Sequence, residues 1–363
     1  MSRYIVTRII WIFVLMLTIL SINFVLLKLA PSHPPATEEE RSIYFERQVR
    51  DGYMTKESIT DPDRIAKIKE QKATGTTIKG SYYVEVNTGD DRPETWLAYE
   101  PISIAEQYFS WLKNILRWDW GLSTRIAVNK PAFEVLSSRM ATTLTLNLIA
   151  LFFYIPIGLA LGVIAALNKD KPLDNFISFA VMIMISVPSF VVIILLVLLF
   201  GYNLDWLPSI YPAADAALDI RIKGLVIPVM AMSFGPIAGL TRTTRAELTE
   251  VLTSEFLLLA RTKGLTRPQA VVRHAMRNSM VPLVPGIIFS FVGILSGSVV
   301  IEQIYAIPGT GKVFLQALTK NAYDYNVLLA STAFYTIISL TAVLIVDLTY
   351  GLIDPRIRMG GRK

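Results

Sequence analysis

The chain is 363 residues long, 53% hydrophobic and only 18% charged, with a positive mean hydropathy. Soluble domains carry about 25% charged residues, so a string of soluble domains is excluded and the chain reads as a polytopic membrane protein. With no cysteine and two histidines it offers no disulfide, thiolate metal site or cysteine nucleophile. Its net charge of +6 reflects cations gathered on one membrane face, not nucleic-acid binding.

A hydrocarbon core of about 30 Å takes about 20 helical residues to cross. Six stretches are predicted to do so: Ile9–Leu29, Leu144–Leu167, Phe176–Tyr202, Leu225–Leu240, Met280–Ile301 and Val327–Ile353. The first follows Arg3 and Arg8 but is longer than a signal-peptide apolar region, and no small-x-small site follows it. It is therefore read as an uncleaved helix. The fourth is short and carries Pro228, Gly235, Pro236 and Gly239, which suits a helix held inside a bundle.

Lys and Arg in the short loops set the orientation. Arg3 and Arg8, Lys169 and Lys171, the run from Arg242 to Arg277, and Arg356 to Lys363 share one side. The opposite loops hold Arg221, Lys223, Lys312 and Lys320. The cation-rich side is expected to be cytoplasmic, with both termini there, in the inner membrane.

Between the first two spans a long polar segment should have structure of its own. Thr37 and Glu40 read as a capping box opening a charged helix, and Asp61-Pro62 opens a second. The stretch TTIKGSYYVEV reads as a small hairpin ended by NTGDD. Ser103 and Glu106 form another capping box before an amphipathic run with Trp111, Trp118 and Trp120. These indoles would suit either a helix in the membrane interface or the core of the outer segment.

No catalytic constellation is present. The sequence GTGK at Gly309–Lys312 looks like part of a phosphate loop, but Ala306 and Val313 stand where that pattern needs Gly and Ser or Thr. The span interiors are nearly free of charge, unlike ion-coupled carriers. Lys28 and Asp347 lie near span ends, where a long side chain can reach the interface. Asn23 and Asn147 read as interhelical hydrogen-bonding groups. Gly158/Gly162, Gly235/Gly239 and Gly293/Gly297 each fit the G-x-x-x-G pattern of close helix packing, within the chain or against a partner.

The loop after the fourth span is basic and helical in propensity. In SEFLLLARTKG, Ser254 fits an N-cap, Glu255 the positive helix end and Gly264 a C-terminal cap. Phe256 to Leu259 make this short helix strongly apolar, which makes sense when it is docked in a partner's groove.

Here the sequence resembles the permease subunits of ABC importers for dipeptides and oligopeptides, of the binding-protein-dependent inner-membrane component family. The resemblance lies in Ala260 four residues before Gly264, then His274, Arg277 and Asn278. It extends to YFSWLKNILRWDWGLS, GLALGVIAAL, ISVPSFVV, EQIYAIPGTG with Glu302, Pro308, Gly309 and Gly311, and DLTYGLIDPRIR. The motif's leading glutamate is replaced by Leu258. About two-thirds of the chain is covered; roughly residues 36–101 are an outer insertion.

The resemblance implies an all-α membrane protein with the six-helix type I importer permease fold and a small α+β extracytoplasmic insertion. Residues 1–30 would be the N-terminus and first span, 31–139 the outer subdomain, 140–353 a five-helix core with a coupling loop at 241–280, and 354–363 a cytoplasmic tail. It implies a pore subunit without ATPase activity or cofactor of its own. ATP and magnesium would be bound by two cytoplasmic ABC ATPase subunits, beside a second homologous permease and an extracytoplasmic peptide-binding protein delivering the peptide. Glu255 to Gly264 would form the coupling helix, with Phe256 and Leu259 as anchors, Arg261 and Lys263 at the rim and Gly264 as the sharp exit. The loop Glu302–Gly311 would re-enter or cap the outer mouth, or be a plain exposed turn. The alternatives are a stand-alone channel or ion-coupled carrier and, third, a membrane scaffold.

Overall fold

The computed structural model describes residues 2–29, 34, 37–78, 80–86, 93–292, 298–318 and 323–353. His33, the NTGDD turn, Gly293, Gly297, Lys320 and the basic tail lie outside these. In chain order the elements are α1 (Ser2–Leu29), α2 (Glu38–Arg50), β1 (Met54–Ile59), α3 (Pro62–Thr74), β2 (Tyr82–Val86), β3 (Thr95–Pro101) and α4 (Ile104–Leu116). Then come α5 (Ala132–Leu167), α6 (Pro172–Ser186), α7 (Ser189–Leu196) running on as a π-helical turn to Asn203, α8 (Leu218–Leu252) and α9 (Glu255–Thr262). After α9 follow α10 (Arg267–Ala270), a π-helical turn over Val271–Ala275, α11 (Met276–Met280), α12 (Val284–Val292), α13 (Val299–Ile304), α14 (Thr310–Ala317) and α15 (Tyr325–Ile353).

Four helical stretches, Val6–Leu29, Ala132–Leu167, Leu218–Leu252 and Tyr325–Thr349, are long and apolar enough to cross a membrane, and α6 with α7 makes a fifth if counted as one span. Three span expectations need correction. The stretch Phe176–Tyr202 is not one helix: α6 and α7 meet at 99°. Pro188 has no N–H to continue the ladder and pushes the residue before it out of the helical region; Val187 has ψ 118°. Conversely, the weak stretch Leu225–Leu240 lies inside a single 35-residue helix, α8, that carries both Pro228 and Pro236 in its interior. Flanking helices support the backbone there. The expected span Met280–Ile301 is divided into α11, α12 and α13 among the described residues, with Pro282 and Pro285 removing donors at the first interruption.

The chain divides into two compact units: Met1–Val14, Ser137–Leu315 and Phe334–Lys363; and Leu15–Leu136 with Gln316–Ala333. The second contains a three-stranded antiparallel sheet of order β1-β3-β2. Among the described residues of TTIKGSYYVEV, no strand pairs with another inside that stretch. Tyr82–Val86 pairs instead with β3, from Tyr82 opposite Tyr99 to Val86 opposite Thr95. β1 (MTKESI) escaped notice because its middle is polar on both faces. Alternation puts Trp96 and Ala98 on one face with Ile65 and Ile68 of α3, and Leu97 and Tyr99 on the other with Phe45 of α2, so the central strand is covered on both sides.

Caps in this unit follow the sequence in two cases of three. Asp61 caps α3 through Asp63 N, with Pro62 at the first position, and Ser103 with Glu106 closes a full capping box on α4. Thr37 sits at the N-cap of α2 but makes no side-chain cap bond. Of the three indoles, Trp111 and Trp120 are buried and Trp118 is 60% exposed, so two serve the core. Lys28 does not reach for the interface. Its Nζ lies 3.5 Å from the Tyr53 ring centroid and 4.5 Å from that of Tyr325, a cation over aromatic faces.

In the first unit, Ala150, Ile193, Ile227, Ile301, Tyr305 and Ile307 belong to one buried cluster. The Gly158/Gly162 pair belongs to the crossing of α5 and α8: a Cβ on Gly158 would come 2.9 Å from Leu240 Cβ, and one on Gly162 2.5 Å from Thr244 Cβ. Thr241 Oγ1 donates to Gly158 O across the same crossing at 3.2 Å. Gly235 and Gly239 differ: nothing among the described atoms lies within 4 Å of where their Cβ would stand. Asn147 bonds to Thr143 O one turn back at 3.0 Å, and in the other unit Asn23 to Ile19 O at 2.9 Å, so among the described residues neither amide bridges helices as expected. Asp347 pairs with Arg8 at 2.8 Å.

Candidate functional site

The long helix α8 runs directly into the basic loop. Its end is held by Arg245, whose Nε and Nη2 reach the two carboxylate oxygens of Asp174 at 2.5 and 2.7 Å. Asp174 is 1% exposed and also accepts from Asp170 N at 3.0 Å. A buried carboxylate needs such a bidentate partner to offset desolvation. This clamp joins the first turn of α6 to α8 about two turns before α8 ends at Leu252. Sequence reasoning missed it, although a lone acid opening an apolar run was a usable signal.

After Thr253 and Ser254 the chain enters α9. Ser254 occupies the N-cap position without a side-chain cap bond; its hydroxyl donates to Val251 O at 2.7 Å instead. The apolar residues of α9 split between two faces. Leu257 and Ala260, one turn apart, are buried against Leu248, Ala166, Ala270 and Ala275. Phe256, Leu258 and Leu259 are 49, 61 and 55% exposed. Phe256 touches His274 edge-on at 5.7 Å; Glu255, Arg261 and Lys263 are exposed around the apolar patch. The inner pair fastens the helix to its own protein and the outer three are left on the surface.

The exit of α9 is a Schellman cap. Gly264 N donates to Arg261 O at 3.0 Å and Leu265 N to Ala260 O at 3.4 Å, while Leu265 packs with the inner face. Gly264 has φ +94°, open to glycine and strained for other residues. Beyond it, α10 and the π-helical turn carry His274, half buried, and α11 carries Arg277 and Asn278, both exposed. His274 therefore joins Phe256, whereas Arg277 and Asn278 stay on the surface.

The other predicted segment, Glu302–Gly311, is mostly buried: Glu302 is 3% exposed and Tyr305, Ile307 and Thr310 are at 0%. Its centre is the Glu302 carboxylate at the N-terminus of α14. It accepts from Lys312 N at 2.9 Å and from Thr143 Oγ1 at 3.1 Å, and Thr310 N donates to Thr143 Oγ1 at 2.9 Å. Free N–H groups at a helix start favour an anion. Here the anion is the chain's own glutamate, so GTGK forms a cradle filled from within. That explains its glycines: a Cβ on Gly309 would stand 2.4 Å from the Glu302 carboxylate, and one on Gly311 2.9 Å from Val299 backbone. Pro308, just before them, is half buried. The turn before it repeats the α9 exit, with Ile307 N donating to Glu302 O at 2.8 Å, but the left-handed position is Ala306, φ +57°.

Among the described residues no three His, Asp or Glu side chains cluster as a metal site would require. The arrangement that remains is a short helix with an exposed apolar face just beyond the long helix α8.

A family model described as binding-protein-dependent transport system inner membrane component matches residues 158–359. The dipeptide transport system permease protein DppB of Bacillus subtilis is 37% identical over 256 residues, 70% of this chain and 79% of that protein. The oligopeptide transport system permease protein OppB of Escherichia coli is 34% identical over 258 residues, 70% of this chain and 81% of that protein. A solved amino acid ABC transporter with histidines matches at 19% identity and a TM-score of 0.45, covering 60% of this chain and 94% of that one. The chain therefore belongs to the binding-protein-dependent transport system inner membrane components, and has that family's helical membrane fold with a small α/β unit added.

Proposed function

We propose that the chain is the pore-forming permease subunit of an ATP-driven peptide importer, with α9 as the helix through which partner ATPases work the pore. The observation that carries this is the divided apolar character of α9. Two of its residues are buried at home, while Phe256, Leu258 and Leu259 remain exposed on a basic loop. Burying a side chain of that size contributes about 1.5–3 kcal/mol, enough for three of them to anchor a partner. The peptide substrate is inferred from the names of the DppB and OppB relatives.

In this reading the basic loop faces the cytoplasm, and ATP and magnesium reside on two ATPase subunits. A second homologous permease completes the pore and an extracytoplasmic binding protein delivers the peptide. ATPase closure pushes α9; the Asp174–Arg245 clamp and the rigid α8 carry the displacement to the spans, a two-state change driven by differential contacts. Open Gly235 and Gly239 on α8 leave a close-packing surface for the second permease.

The chain has no cysteine, so a single one introduced by Leu258→Cys is a unique crosslinking handle. The expected capture, from native membranes, is a nucleotide-hydrolysing protein in stoichiometric amount. Peptide-stimulated ATP hydrolysis should vanish on Gly264→Pro with the complex still assembled. Transport that persists after deletion of the ATPase would instead make the chain a stand-alone channel or ion-coupled carrier.

A further inference from the structure

The helix α4 carries two apolar faces, of which one is covered within the second unit. On that face Tyr108 Oη and Ser21 Oγ of α1 share a hydrogen bond at 2.8 Å. The Phe24 ring of α1 lies 4.9 Å from Trp111 and 5.6 Å from Tyr108 between centroids. Beside it Ala105, Phe109, Leu112 and Leu116 recur at helical spacing and form a second apolar strip. Phe109 and Leu116 are 67 and 72% exposed. Lys113 and Arg117, each four residues after the last, run along the polar border of the strip and are exposed.

The helix ends in the same turn as α9. Trp118 N donates to Ile115 O and Asp119 N to Asn114 O, both at 2.9 Å. The left-handed position that α9 gives to glycine is here Trp118, with φ +63°, a strained conformation for a bulky side chain. Its indole meets Trp120 and Phe133 at 5.8 and 5.4 Å but stays largely exposed. Strain of this kind is held where the placement of the residue is used. Here it sets a large amphipathic ring just past the end of the strip.

The attachment to α1 fixes the depth of α4. Ser21 lies about 12 Å short of the end of α1 at 1.5 Å per residue, where a span passes from acyl chains to headgroups. The same turns of α1 expose Ile22, Val25, Leu26 and Leu29, on a helix long and apolar enough to cross a membrane. An apolar strip edged by cations and an indole is the pattern of helices that lie in the bilayer surface, whereas lysine is depleted where proteins dock on one another. We propose that α4 lies in the membrane interface, with Phe109, Leu112 and Leu116 among acyl chains, Trp118 at headgroup level, and Lys113 and Arg117 reaching the lipid phosphates. This follows from α1 crossing a membrane and is independent of α9 and of what is transported.

Because the chain has no cysteine, single spin labels can be placed on the full chain in phosphatidylcholine–phosphatidylglycerol liposomes, with and without co-purifying proteins. Labels at Phe109→Cys and Leu116→Cys should favour collision with oxygen over a water-soluble nickel chelate at least about fivefold more than one at Glu70→Cys, an exposed position on α3. A label at Trp118→Cys should read an intermediate ratio, the mark of headgroup depth. A ratio at position 109, 116 or 118 equal to that at 70 would overturn the proposal. Labels at 109 and 116 shielded from both reagents would assign the strip to a protein partner and overturn it equally. The crosslink at Leu258→Cys reads the ATPase contact separately.

Discussion

Two short helices of the first unit, α9 and α13, end in the same hydrogen-bonded turn yet stand in opposite surroundings. After α9 the left-handed residue is Gly264, nothing lies within 4 Å of its missing Cβ, and three large apolar side chains beside it are exposed. After α13 the left-handed residue is Ala306, and the turn is fixed by the buried Glu302 network. The left-handed region costs a residue with a Cβ about 1–2 kcal/mol. Ala306 tolerates that because its surroundings over-determine the turn. The α9 exit has no such support and depends on glycine. A segment that satisfies itself is architecture, whereas one that leaves apolar surface and relies on backbone freedom is built to meet something else.

That contrast can be broken in graded ways. The largest effect is expected for Glu302→Ala, which leaves the N–H groups of α14 and the Thr143 hydroxyl without their acceptor inside the core. A loss of about 3 kcal/mol or more follows from stranding buried charged-group hydrogen bonds, visible as a lower melting temperature of the purified protein. Arg245→Met should cost about 3 kcal/mol because it isolates the buried Asp174 charge; Asp174→Asn in the same chain should recover most of it. Gly264→Ala should cost about 1–2 kcal/mol through backbone strain alone, with no steric term to add. The smallest change runs the other way. Ala306→Gly removes strain and should raise stability by about 1 kcal/mol or less, partly cancelled by the unfolded-state entropy of glycine. Equal losses at 264 and 306 on substitution by valine would erase the distinction between the two turns.

Much of this was legible in the sequence where the signal is local. Apolar runs located α1, α5 and α15, Asp61-Pro62 and the Ser103–Glu106 box located α3 and α4, and Gly264 marked the end of α9. What escaped depends on distance or on neighbours. The break at Pro188 is flanked by equally apolar residues, so hydropathy does not see it. Pro228 and Pro236 read as interruptions, yet packing keeps α8 whole. Three G-x-x-x-G pairs look alike on paper, but Gly158 and Gly162 are filled by α8 while Gly235 and Gly239 face open space. Asp174 and Arg245 are 71 residues apart, and Thr143 and Glu302 159 apart; no periodicity announces such partners. Along α9 the sequence gives four consecutive apolar residues and no indication that only Leu257 turns inward.

The glutamate seated in the GTGK cradle has a consequence for how such stretches should be interpreted. A dissolved phosphate would have to evict a carboxylate tethered ten residues away and held in place by the fold. An intramolecular competitor of that kind acts at an effective concentration of about millimolar or higher even when its linker is flexible. Glu302 is thus a built-in occupant that keeps foreign anions out of this helix start, and the resemblance to a nucleotide loop marks a seat already taken.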